Sequence, residues 1–133
     1  MSSTPSTARV ALVTGASRGI GAAVVVELAR HGIVPVLAVR RPETARAAVS
    51  AVQALGIDPL VVGCHVENAD EARAAVAATL NRHGRLDILI NNASAINLAG
   101  TLELPMKSYD LMHGINTRGT FLTSKLCIPH MRG

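Results

Sequence analysis

The sequence predicts an α/β chain built on a doubly wound parallel sheet, and three observations point to it. Short β-branched runs alternate with longer Ala-rich runs of helical character. The short runs are continuously apolar rather than alternating, as strands covered on both faces require. Glycines and prolines stand at the joins between runs.

The elements follow in order. Residues 1–8 are polar and rich in Ser and Thr, and read as a flexible leader. Val10-Ala11-Leu12-Val13 is strand one, with glycines immediately after it. A helix is expected over 20–30, stopped by His31-Gly32, and strand two over 33–39. Pro42 suits a first helical turn, so a second helix is expected to run to Leu55 and end at Gly56. Leu60-Val61-Val62 is strand three. Asn68 or Asp70 can cap a third helix over 71–82, closed by Gly84. Strand four covers 86–90, and a loop carrying Asn91, Asn92, Ser94 and Asn97 follows. Two more helices are expected, over 107–113 and 116–128, the last stopped near Pro129. Strands separated by helices imply βαβ units. The chain shows no internal repeat and no linker.

Composition narrows the function. The chain has 133 residues, 49% of them apolar and 17% charged, which excludes a disordered tail. Its net charge is +4, but the basic residues are scattered, and aromatics make up only 2%. Both facts speak against a nucleic-acid partner. No apolar stretch approaches the roughly 18 residues of a membrane span. Cys64 and Cys127 lie far apart in apolar surroundings with no export signal, so both are expected as reduced core thiols of a cytoplasmic protein. No metal site is expected.

The strongest signal is Thr14-Gly15-Ala16-Ser17-Arg18-Gly19-Ile20-Gly21, between strand one and the first helix. That junction offers bare backbone amides and the positive end of a helix dipole, which suit a phosphate. Glycines let the backbone turn sharply and approach a pyrophosphate. With 11 glycines in 133 residues, the bare three-glycine pattern arises by chance with a probability of roughly 0.07. The flanking strand and helix therefore carry the argument.

The spacing is G-x-x-x-G-x-G rather than G-x-G-x-x-G, and it resembles the cofactor motif Thr-Gly-x-x-x-Gly-x-Gly of the short-chain dehydrogenases/reductases. Asn91-Asn92-Ala93-Ser94 is similar to that family's Asn-Asn-Ala-Gly after strand four. Asn116, opening the run Asn-Thr-Arg-Gly-Thr, stands where the family has a catalytic asparagine. The resemblance covers nearly all of 9–133. It implies a Rossmann-type sheet of strand order 3-2-1-4 and an NAD(P)-dependent oxidoreductase acting on a carbonyl or alcohol. It assigns cofactor binding to Thr14, Gly15, Ser17, Arg18, Gly19, Ile20 and Gly21, and to Asn92, Ala93 and Ser94. Asn91 would hold strand four and contact a ribose, and Asn116 would be catalytic. As a local reading, Asn116 is equally a helix N-cap.

An acid about 20 residues past the glycines would accept the ribose hydroxyls of NAD. Here that count reaches Arg40-Arg41, with no acid before Glu43. Guanidiniums there, with Arg18, suit a 2′-phosphate, so NADP(H) is expected over NAD(H). His65-Val66 stands where the family has the Asp-Val that contacts adenine, so the resemblance implies cofactor binding there. His65 could hydrogen-bond adenine or be a surface histidine without a role.

The family also carries a Ser and a Tyr-x-x-x-Lys. In this chain the single tyrosine, Tyr109, is followed four residues later by His113, and the only lysines are Lys107 and Lys125. The missing groups would lie beyond Gly133. Residues 9–133 are then expected to be the N-terminal part of one NAD(P)-binding domain, with strand four left as an edge. Such a piece is expected to be poorly soluble and inactive alone, and the full-length form to be a homo-oligomer through its long last helix. Lys125 reads as a surface residue and Tyr109 as a packing residue. Two other readings stand beside this one: a non-catalytic nucleotide-binding module, and a truncated product without function.

Overall fold

A computed structural model describes residues 6–131. Four strands, β1 (Val10–Thr14), β2 (Val34–Val39), β3 (Leu60–Gly63) and β4 (Ile88–Ile90), form one parallel sheet in the order β3-β2-β1-β4. The expected 3-2-1-4 order is therefore present. Helix α1 (Gly19–Arg30) links β1 to β2, and α3 (Ala69–His83) links β3 to β4. Between β2 and β3 stand a 3-10 turn, Pro42–Ala45, and helix α2 (Arg46–Gln53). Helices α4 (Met106–His113) and α5 (Thr120–Met131) follow β4.

Side-chain alternation along β1 builds two cores. Val10 and Leu12 pack with Ala72, Val76 and Cys127, from α3 and α5. Ala11 and Val13 pack with Val25, Ala29 and Val52, from α1 and α2. The sheet is thus covered on both faces, which is why its strands read as unbroken apolar runs. Cys64 and Cys127 are both buried, free thiols.

Pro35 stands inside β2, where a proline would normally remove a ladder bond. Val34 donates its N–H to Arg9 on the β1 side, at 2.9 Å, so the next residue faces β3. Pairing with β3 begins only at Val36 opposite Leu60. The missing donor of Pro35 therefore points to a place without a ladder.

Several expected boundaries shift, each for a local reason. The second helix starts as a tighter turn with Pro42 in its first positions and stops at Gln53. Asn68, not Asp70, caps α3, its side chain accepting the Glu71 N–H at 3.1 Å. Strand β4 is shorter than expected because Asp87 is used otherwise. Its N–H donates to the Val10 carbonyl at 2.9 Å, and its carboxylate accepts the Val10 N–H at 2.8 Å. Arg85 grips the same carboxylate with bonds of 2.8 and 2.7 Å.

The leader is not loose throughout. Ser6 donates its N–H to the His83 carbonyl at 2.7 Å and accepts from Arg85 at 3.2 Å. Residues 1–5 of the expected leader lie outside the described residues.

The two expected last helices form one continuous rod. A wide turn with π spacing, Gly114–Gly119, joins α4 directly to α5. Pro129 sits within α5 and does not end it. Both Pro129 and Lys125 are exposed, so water can satisfy the carbonyl that proline leaves without a donor. Among the described residues, no helix is long and apolar enough to cross a membrane.

Candidate functional site

The carboxyl ends of the parallel strands share one rim, the usual place for a ligand in an open α/β sheet. Thr14, the last residue of β1, is buried and ties that rim together. Its hydroxyl accepts the N–H groups of Asn92 and Ala93, each at 3.0 Å, and donates to the Ile90 carbonyl at 3.4 Å. The Asn92 side chain then donates to the Gly15 carbonyl at 2.9 Å. The turn after β1 and the chain leaving β4 are thereby fixed against each other.

That closeness explains two of the glycines. Gly15 has φ +62°, and a Cβ there would lie 2.8 Å from the Ala93 Cα. A Cβ on Gly21 would run into the Gly15 carbonyl oxygen and reach within 2.5 Å of the Asn92 side-chain nitrogen. Only hydrogen fits at either place.

Helix α1 opens beside this turn with no side-chain cap and no acid in its first turn. Its leading N–H groups have no partner within the helix, and its dipole points outward. A cavity of about 600 Å³ lies over them. Gly15, Ser17, Arg18, Gly19 and Ile20 form one wall; Arg40 and Arg41 enter from the end of β2. Val66 comes from the segment after β3, and Asn92, Ala93 and Ser94 from the segment after β4. Arg18, Arg40 and Arg41 are exposed, and none forms an ion pair among the described residues.

Several residues singled out in the sequence do not line the cavity. Thr14 and Gly21 stand behind its wall, in the positioning roles just described. His65 turns away: its backbone N–H and ring Nδ1 both meet Glu71 Oε1 at 2.9 Å. Those two bonds, the backbone one first, hold the Glu71 carboxyl below its usual range. Asn91 accepts from the Thr123 hydroxyl at 2.6 Å and donates to Ser124 at 3.2 Å, which ties the end of β4 to α5. Asn116 is inside the wide turn and is no N-cap. Its amide instead pairs with the backbone of Ala95, accepting the N–H and donating to the carbonyl, both at 2.8 Å. Tyr109 is 44% exposed and stacks on His113, with ring centroids 4.2 Å apart, so it packs against its own helix rather than the core.

The structure adds Ala38, Val39, Thr44, Cys64, Glu67 and Ile115 to the cavity. The first five stand at or after the carboxyl ends of β2 and β3, and the crevice rule for parallel sheets would have found them. Ile115 arrives from the break between α4 and α5, for which no local signal exists. Burial pushes the Cys64 thiol up to about 11, with the carboxylates of Glu71 and Glu67 adding to the effect. It is an inert wall at neutral pH.

Bare amides, three free guanidiniums and apolar walls around one cleft suit an elongated polyanion with a flat base. The family model for short chain dehydrogenase matches residues 9–133. The chain belongs to the short-chain dehydrogenase family. It is 45% identical to hydroxysteroid dehydrogenase-like protein 2 of Xenopus tropicalis, over 96% of this chain and 33% of that protein. The chain thus spans about a third of the length of the curated relatives it matches. A short-chain type dehydrogenase/reductase from Mycobacterium marinum superposes with a TM-score of 0.90 at 27% identity, covering 95% of this chain and 51% of that one. A metagenomic short-chain oxidoreductase in complex with NADP superposes with a TM-score of 0.87 at 33% identity, covering 92% and 56%. Family members use NAD(P)H, and the cradle described above fits such a cofactor.

Proposed function

We propose that this chain is the cofactor-binding part of an NADP(H)-dependent oxidoreductase acting on a small carbonyl or alcohol. One observation carries the reading: a single cavity joins the uncapped start of α1 to the free guanidiniums of Arg40 and Arg41. The amides from Ser17 to Ile20 face the diphosphate, and Arg18, Arg40 and Arg41 surround the 2′-phosphate. The NADP-bound metagenomic relative supports the choice of cofactor. When bound, NADP(H) supplies the hydride.

The chain's own residues bind and position. Asn92, Ala93 and Ser94 close the wall next to the glycine turn, and Thr14 keeps that wall in place. Asn116 pins the segment at Ala95 to the wide turn, which sets the site's far side. No tyrosine in these 133 residues is followed four positions later by a lysine. We assign the proton donor and the amine that lowers its pKa to sequence outside them, so turnover belongs to a longer protein. Residues 9–133 then form the adenosine half of its domain. The free buried thiols favour a cytoplasmic setting. Exposed Phe121 and Ile128 on α5 favour self-association of the whole protein.

Calorimetric titration of the folded chain with NADPH and NADH tests the proposal. Arg40→Asp should weaken NADPH binding roughly tenfold or more while changing NADH binding by less than about threefold. Equal losses for both cofactors, or no NADPH binding at all, would overturn it. A second reading, a nucleotide-binding module without catalysis, rests on the same cavity. Reductase assays on a longer protein that includes such a motif separate the two.

A further inference from the structure

The wide turn between α4 and α5 reaches two of the segments that wall the cavity. Asn116 holds the chain after β4 through the Ala95 backbone, with two bonds of 2.8 Å. Two positions on, Arg118 reaches the chain after β3, its Nε donating to the Glu67 carbonyl at 3.1 Å. Ile115 of the same turn enters the cavity itself.

The segment after β3 needs such a hold. Cys64, Val66 and Glu67 line the cavity, and the segment from Cys64 to Asn68 belongs to no strand or helix. Val66 and Glu67 are the central residues of a tight turn, closed by the Asn68 N–H on the His65 carbonyl at 2.9 Å. The flank of that turn is tied to α3 by the His65 N–H on Glu71, also at 2.9 Å. Its centre carries a cost. Glu67 Oε2 is closed to solvent without a hydrogen bond, and a buried acceptor lacking a donor works against this placement.

The wide turn supplies what offsets that cost. A Cβ on Gly119 would come within 2.5 Å of the Val66 Cγ2, so glycine there lets Val66 pack directly on the turn. The Cβ and Cγ of Glu67 lie beside Gly114. These contacts are non-directional, whereas the Arg118 bond fixes one carbonyl, and its charged donor makes it a strong one. Arg118 forms no ion pair among the described residues, so no carboxylate draws its guanidinium away.

We propose that Arg118 is a positioning residue for the cavity. By holding the Glu67 carbonyl it keeps Val66 and Glu67 in the wall, and through the shared turn it aligns that wall with the segment held by Asn116. The ligand readout of this proposal rests on the dinucleotide reading of the cavity.

The test combines amide hydrogen exchange with NADPH calorimetry on the folded chain, Arg118→Ala and Arg118→Lys, circular dichroism confirming the fold of each. Without ligand, Arg118→Ala should exchange the Asn68 amide roughly tenfold faster, while amides of β1 and α1 stay unchanged. Its NADPH affinity should fall roughly fivefold, and Arg118→Lys, which keeps a charged donor, should stay within about twofold of the unaltered chain. If Arg118→Ala does not fold, Arg118→Gln gives the same comparison. Weaker binding with unchanged exchange at Asn68 would reduce Arg118 to a charge near a polyanion and overturn the proposal, as would unchanged affinity. Absence of NADPH binding by the unaltered chain overturns the dinucleotide reading, and the exchange rates then decide by themselves whether Arg118 holds the wall.

Discussion

The Thr14 hydroxyl serves three backbone groups at once, and so decides how closely the glycine turn approaches the segment after β4. Gly21 completes that approach. In Gly21→Ala the added methyl must displace the Gly15 carbonyl, at a cost of about 1–3 kcal/mol. Thermal unfolding should move to lower temperature and NADPH affinity should fall with it; an unchanged melting curve would contradict the packing described. The tight turn over 14–21 was legible in the sequence, because a close approach of backbone to backbone constrains residue types at fixed spacing. Ile115 was not legible, because it reaches the cavity from the break between α4 and α5. The His65 ring meets Glu71, an orientation that its place in a motif does not fix.

At the scale of elements, the parallel strands and their helices were readable from unbroken apolar runs, and their ends were less so. Strand β4 begins late because Asp87 bonds both backbone groups of Val10, a contact between residues far apart in sequence. The wide turn at Gly114–Gly119 leaves no mark in apolar periodicity, so one rod was read as two helices. The Arg85–Asp87 clamp also sets a pH dependence. Hydrogen bonds from the Arg85 guanidinium, then the Val10 N–H, hold the Asp87 carboxyl below its ordinary value against the opposing effect of burial. The folded state thus favours the ionised form. Its stabilisation is complete above the unfolded carboxyl value of about 3.9 and is lost as pH falls through the lower folded value. Urea midpoints should show Asp87→Asn less stable than the unaltered chain at pH 7, with the gap narrowing below about pH 4. A gap independent of pH would rule out this origin.

Across the whole molecule, a sheet covered on both faces leaves apolar surface elsewhere. Leu98 is 88% exposed and Leu102 is 95% exposed, on the connection between β4 and α4. Phe121, on α5, is 63% exposed. Large apolar side chains exposed to this degree promote association. Leu98→Lys with Leu102→Lys should reduce light scattering of concentrated solutions and leave NADPH affinity within about twofold, since neither residue lines the cavity. Unchanged scattering would place the sticky surface elsewhere, with the edge of β4 the next candidate.

The claim on which the rest depends is that the unsatisfied amides at the start of α1 hold a dinucleotide's diphosphate. Amide chemical shifts of the labelled chain, followed as NADPH is added, test it most directly. The account predicts the largest changes at Gly15, Ser17, Arg18, Gly19 and Ile20, with smaller ones at Arg40 and Arg41. Saturable shifts confined to the other side of α1, around Val24, Leu28 and His31, would contradict it.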